Sequence, residues 1–158
     1  MLYNWYALAG IHDTDPNTPN KEFAPLGWHV PDEKEWQTLT YYLFESGYGD
    51  ALSKSMASPI GWMEDSEPNF LGNNQVTNNG SGFNAMPKGN RYGLPDDGIF
   101  SENDGSAASF WTSTTQELNS IYKEPKYAKT FNLYAGTLEP EYFSDDKSNG
   151  LSVRLVKD

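Results

Sequence analysis

The side chains in this chain that could do chemistry are almost all oxygen donors. Asp96, Asp97, Glu102, Asn103 and Asp104 fall in one glycine-bearing stretch, and Asp145 and Asp146 form a second cluster. Hard oxygens at this density suit calcium, which takes roughly six to eight ligands from carboxylates and carbonyls of a flexible loop. Neither stretch has EF-hand spacing, and solvated turn chemistry explains the same residues more simply. Asp96, Asp97, Glu102 and Asp104 are therefore the metal-ligand candidates, with calcium the one cofactor they suggest. Of the two histidines, His29 lies between Trp28 and Val30 and reads as a satisfied structural residue. His12, beside Asp13 and Asp15, has a chelating arrangement but belongs more simply to a solvated loop. Neither neighbours a Ser in a recognisable nucleophile context. The absence of cysteine excludes disulfides, thiol nucleophiles and thiolate metal sites. Carboxylate pairs for glycoside hydrolysis are defined by separation in space, so sequence alone is silent on them.

The element best placed to position such groups is a helix opening at Asp32. Asp32 is a good N-cap and Glu35 sits three residues on, completing a capping box, while Pro31 and Trp36 occupy the two positions of a hydrophobic staple. Trp36, Leu39, Thr40, Leu43 and Phe44 recur at helical spacing, with Glu33, Lys34, Gln37 and Thr38 on the other side, and Gly47 supplies the stop. This amphipathic helix needs an apolar partner, which the β-rich remainder of the chain provides as a sheet.

With 158 residues, the chain has the length of one domain with a real core, residues 1–158. Hydrophobic residues make up only 37%, yet aromatics reach 15%, so a few large rings can fill the interior. Abundant Gly, Pro, Asn, Asp and Ser indicate much turn and loop, the profile of an α+β or β domain. The formal net charge of −11 repels phosphate, which disfavours nucleic acid and anionic membranes as partners; cations or neutral carbohydrate are better matched, and solubility explains the charge equally well. No apolar run approaches the ~20 residues of a membrane span. The opening MLYNWYALAGIHD is not a signal peptide, so an exported protein would have its leader removed or upstream.

Along the chain, Leu2–Ala9 is apolar on both faces and reads as a buried strand. The stretch from Gly47 to Gly82 lacks periodicity and holds Trp62 and Phe70 as anchors of an ordered excursion. Ser81–Tyr92 reads as a strand followed by a turn. Strands are expected at Ser109–Thr115, Tyr127–Tyr134, Glu139–Phe143 and Leu151–Val156, the last with Leu151, Val153 and Leu155 facing one way. Arg154, on the opposite face, calls for a carboxylate partner, for which Glu35 is the candidate.

Several of these segments form a recognisable series. LYNWYA (Leu2–Ala7), APLGWHVPDEKEW (Ala24–Trp36), SGFNAMPKGNRY (Ser81–Tyr92), FWTSTT (Phe110–Thr115) and KSNGLSVRLVKD (Lys147–Asp158) resemble, in order, the Fibrobacter succinogenes major paralogous domain family of bacterial surface and secreted proteins. That family is similar to the formylglycine-generating enzymes and, through them, to the C-type-lectin-like fold. The resemblance implies an α+β domain with one main helix, a twisted, mostly antiparallel sheet, paired terminal strands and long ordered loops. Two departures are visible: residues usual upstream of LYNWYA are missing, and Leu155 replaces the family's usual Cys, which makes that position a core site. Formylglycine generation needs thiolates for copper and substrate, so without cysteine only the fold carries over.

The function expected is a non-catalytic module, extracellular or at the cell surface, binding glycan or protein through loops Gly61–Asn79 and Gly93–Ala108. The alternatives are a structural or assembly module of a larger surface protein and a glycan-acting hydrolase. Ligand-contact candidates are Trp62, Asn69, Tyr92, Asp97 and Asn103. Trp62, Tyr92, Tyr134 and Tyr142 lie in or near loops where rings could stack on a sugar, although Trp62 reads equally as a loop anchor. Asn69 closes a Glu-Pro-Asn tripeptide like that of mannose-type lectins, but its Trp-Asn-Asp counterpart is absent and the segment reads as a turn.

Overall fold

Local signals place the elements in the order α1 (Trp5–Leu8), β1 (Trp28–His29), α2 (Glu33–Leu43), α3 (Leu52–Met56), β2 (Ala107–Thr115), β3 (Tyr127–Tyr134), β4 (Glu141–Asp146) and β5 (Val156–Lys157). These are seen in the computed structural model, which describes residues 1–11, 15, 17–93 and 105–158. The fold is α+β: β2, β3 and β4 form an antiparallel sheet in that order, and β1 pairs antiparallel with β5 in a second, two-stranded sheet. No described helix is long and apolar enough to cross a membrane.

Helix α2 forms as its sequence dictates. Asp32 Oδ1 accepts the Glu35 N–H at 2.8 Å, and Glu35 Oε2 accepts the Asp32 N–H at 2.8 Å, so two amides that the helix itself leaves unpaired are satisfied. Its buried face rests on the three-stranded sheet, where Trp36 stacks on Phe131 with ring centroids 4.1 Å apart. Phe110 and Phe83 complete an aromatic cluster around that indole. Phe44, expected on this face, is instead exposed. It lies eight residues beyond Trp36, about 80° round the helix from it at about 100° per residue. The helix also widens after Leu43 into a π-type turn, Phe44–Tyr48, in which Gly47 takes φ 93°.

Successive residues of β2 serve different layers. Phe110 joins the core beneath α2, whereas Trp111 packs with Ala128 and Leu151 in a second cluster that Trp5, Leu8 and Val153 cover. Two indoles stitch this layer together: Trp5 Nε1 donates to Thr112 O at 3.0 Å, and Trp111 Nε1 to Tyr3 O at 2.8 Å.

Three expected strands resolve differently. In Leu2–Ala9 only Tyr3 pairs, exchanging backbone bonds with Leu151 at 2.9 and 3.0 Å, and the chain then turns into α1. Asn4 decides this, because its side chain caps α1 by accepting the Ala7 N–H at 2.9 Å. Ser81–Tyr92 makes two isolated bridges, Ala85 with Ala57 and Arg91 with Gly150; the left-handed Asn84 (φ 58°) interrupts any ladder. Leu151–Val156 is divided among partners: Leu151 bridges Tyr3, Ser152 bridges Phe110, and only Val156 and Lys157 form a regular pair, with β1. The inward set persists nonetheless, with Leu151 buried and Val153 and Leu155 half-buried. The first and last segments of the chain thus lie side by side.

Candidate functional site

The central excursion is held by its own polar groups. Gln75 acts as a surrogate strand for Trp62: its Oε1 accepts the Trp62 N–H at 3.0 Å and its Nε2 donates to Trp62 O at 2.8 Å. Asn78 Nδ2 donates to Ser58 O and Leu71 O. Lys54, whose pKa burial pushes down, donates Nζ to the carbonyls of Phe70 and Asn73. Asn69, Asn74, Asn79 and Asn84 all adopt positive φ, which Asn tolerates better than most residues because its short amide can bond locally.

The described residues singled out from sequence differ in their exposure. Trp62 is only 4% exposed and belongs to the core, so its ring offers no face to a ligand. Asn69 is exposed in a tight turn in which Phe70 N–H bonds Glu67 O and Asp65 Oδ1 accepts the Glu67 N–H. Tyr92 is 46% exposed. Asp96, Asp97, Glu102, Asn103 and Asp104 lie outside the described residues, as do His12 and Asp13. Asp15, which remains, accepts two bonds from Asn17. Asp145 and Asp146 are engaged in turn chemistry. Asp145 Oδ1 accepts from Asn149 Nδ2 at 2.7 Å and from the Asp146 N–H, and Asp146 Oδ1 accepts from Ser148 N–H and Oγ. Burial opposes the Asp146 charge, but those Ser148 bonds and nearby Lys126 outweigh it and hold the carboxyl below the usual range.

A different part of the molecule is open. The segment Glu22–Val30, the first turn of α2, Ser113 and Asp158 enclose a groove of about 600 Å³. Leu26 is 98% exposed and Trp28 44% exposed on it, so the indole is presented outward. Along this short segment Trp28, His29 and Val30 pass from exposed through intermediate to buried, so the chain leaves β1 for the core at Val30.

His29 sits in this groove with both ring nitrogens engaged. Nδ1 lies 2.6 Å from Asp158 Oδ1 and Nε2 lies 2.7 Å from Glu35 Oε1. A neutral imidazole has one donor, so two carboxylate partners select the imidazolium. The Asp158 bond, followed by the Glu35 bond, raises the His29 pKa above its ordinary value against a smaller opposing effect of desolvation. The histidine is satisfied, as its sequence setting suggests, but it is partly exposed rather than a core residue. Asp158 was invisible to local reasoning because it lies 129 positions away. Glu35 carried a signal, the capping box, which accounted for only one of its two oxygens.

Glu35 also borders a second, apolar cavity of about 450 Å³ lined by Trp36, Leu39, Tyr42, Phe83 and Val156. Arg154 stands at this cavity but does not pair with Glu35. Its Nη2 donates to Phe83 O at 2.8 Å, and the guanidinium lies 4.6 Å from the Phe83 ring centroid. Glu35 is already occupied by His29 and the Asp32 amide, which leaves the arginine to a carbonyl and a ring face. Among the described residues, no three His, Asp or Glu side chains converge as a metal-ligand set.

No curated protein and no solved structure matches this chain. A family model described as the Fibrobacter succinogenes major domain matches residues 1–157. That span takes in the Trp28–His29 groove and almost everything that builds it, and the chain belongs to the Fibrobacter succinogenes major domain family.

Proposed function

We propose that this chain is a non-catalytic binding module of C-type-lectin-like architecture. It is displayed at a cell surface or within a larger secreted protein, and it takes a glycan or protein ligand in the groove beside Trp28. The observation that carries this reading is the half-exposed Trp28 indole on an open groove that also presents carboxylates and an imidazolium. An indole face stacks on the C–H face of a sugar or an apolar side chain, and charged acceptors order hydroxyls or amides around it. The non-catalytic assignment draws support from His29: with both nitrogens bound to carboxylates, it has no lone pair free to activate Ser113 or a water. The central loop supports the reading less well, since its Asn and Gln side chains bond its own backbone.

A glycan array run with and without calcium tests the proposal. Saturable binding that survives Trp62→Phe and disappears in a folded Trp28→Ala variant is the expected result; binding indifferent to Trp28 defeats the placement. The apolar cavity along α2, with Tyr42 65% exposed beside it, favours a second reading as an assembly module. Blank arrays together with concentration-dependent self-association, abolished by Tyr42→Ser, would select that alternative.

A further inference from the structure

We propose that His29 is a proton-operated latch: doubly protonated, it ties the start of α2 to the C-terminal segment, and loss of one proton frees that segment from β1. The geometry is that of a bridge between three elements. The imidazole belongs to β1, Glu35 to the first turn of α2, and Asp158 follows directly on β5. The charged groups lining the groove are Glu22, Asp32, Glu35 and Asp158, with no Lys or Arg among the described lining residues, and the two that meet the ring, Glu35 and Asp158, are both anionic. Lys157, on β5, is paired across from Trp28.

The two carboxylates are not equivalent. Glu35 is anchored by its second oxygen, which accepts the Asp32 amide, and its side chain is 40% exposed. Asp158 is 59% exposed, and among the described residues its side chain has no second bond of that kind. A neutral ring keeps one N–H, and the acceptor nitrogen then faces an anionic oxygen. The carboxylate that moves away is the one held less firmly, Asp158. Among the described residues, what else holds this segment beyond Arg154 is two β5 residue pairs with β1 and the Asp158 N–H bond to Gly27 O at 3.1 Å. Releasing Asp158 therefore widens one wall of the groove while the three-stranded sheet, which shares none of these groups, is untouched. The latch requires no ligand and can fail or hold independently of the binding reading above.

The test is a pH series on the full chain that follows the His29 ring by NMR and the backbone amides by hydrogen exchange corrected for intrinsic rates. The expected result is a His29 midpoint above the about 6.5 of an unperturbed histidine. Protection at Asp158 and its β5 neighbours should fall several-fold through that midpoint while β3 amides keep theirs. Asp158→Asn, a change at an exposed position, should lower the midpoint, and His29→Gln should remove the step. A midpoint at or below the unperturbed value, β5 protection that does not change across it, or an Asp158→Asn midpoint equal to that of the unmodified chain would each overturn the proposal.

Discussion

The loop from Gly61 to Asn79 and the groove beside Trp28 are both built from irregular backbone carrying a tryptophan among polar side chains. They dispose of those groups in opposite ways. In the loop, Trp62 is driven into the core, and Gln75 and Asn78, with Lys54 from α3, satisfy carbonyls and amides that no sheet or helix pairs. In the groove, the backbone is secured by a two-strand ladder and a helix cap, so Trp28 and the carboxylates around His29 are left facing outward. A long loop without regular structure must meet its own hydrogen-bonding demand first. Polar composition therefore says little about whether a loop can bind anything.

Removing the two tryptophans gives the sharpest contrast. Trp62→Ala should cost about 3–5 kcal/mol of stability in denaturant unfolding, the usual range for a buried aromatic. Trp28→Ala should stay within about 0.5 kcal/mol while losing ligand capture. Comparable losses from both would erase the distinction. A smaller effect is expected at Gly72, where an added Cβ would lie 2.1 Å from Met63 O. Gly72→Ala should cost about 1–3 kcal/mol, the typical penalty for overpacking, with the strongest increase in hydrogen exchange between Gly61 and Asn79. Gln75→Ala leaves the Trp62 amide and carbonyl without partners and should cost about 1–3 kcal/mol at most, without affecting the groove.

The smallest effect belongs to the groove itself. Because folding raises the His29 pKa, its stabilising contribution is complete at pH values below about 6.5, the unfolded value, and is lost as pH rises through the folded value. The unmodified chain should therefore lose a little thermal stability across that window relative to His29→Ala. Parallel pH profiles for the two chains would show that the carboxylates do not hold a charged ring.

The legible parts of this fold are those governed by near neighbours in sequence. Asp32 and Glu35 specify the start of α2, Gly47 takes the positive φ in the turn that follows it, and the β-rich run Tyr127–Tyr134 coincides with β3. Leu2–Ala9 misleads because a segment apolar on both faces has no alternation to read, and one capping residue, Asn4, is enough to turn it into α1. The acidic cluster at Asp145 and Asp146 follows the simpler of its two sequence readings: ligand chemistry and turn chemistry use the same oxygens, and Ser148 and Asn149 claim them.

What the sequence by itself determined is the set of elements whose cause lies within a few neighbouring residues: the capped helix α2 and the strands β2, β3 and β4. Only the tertiary structure decided that His29 would meet Asp158, that Arg154 would choose Phe83 over Glu35, and that Trp28 would face out while Trp62 faced in. Caps and alternation act along the chain at fixed spacing. The partner of a side chain and its exposure depend on which distant segments pack against it, and no local pattern encodes that choice.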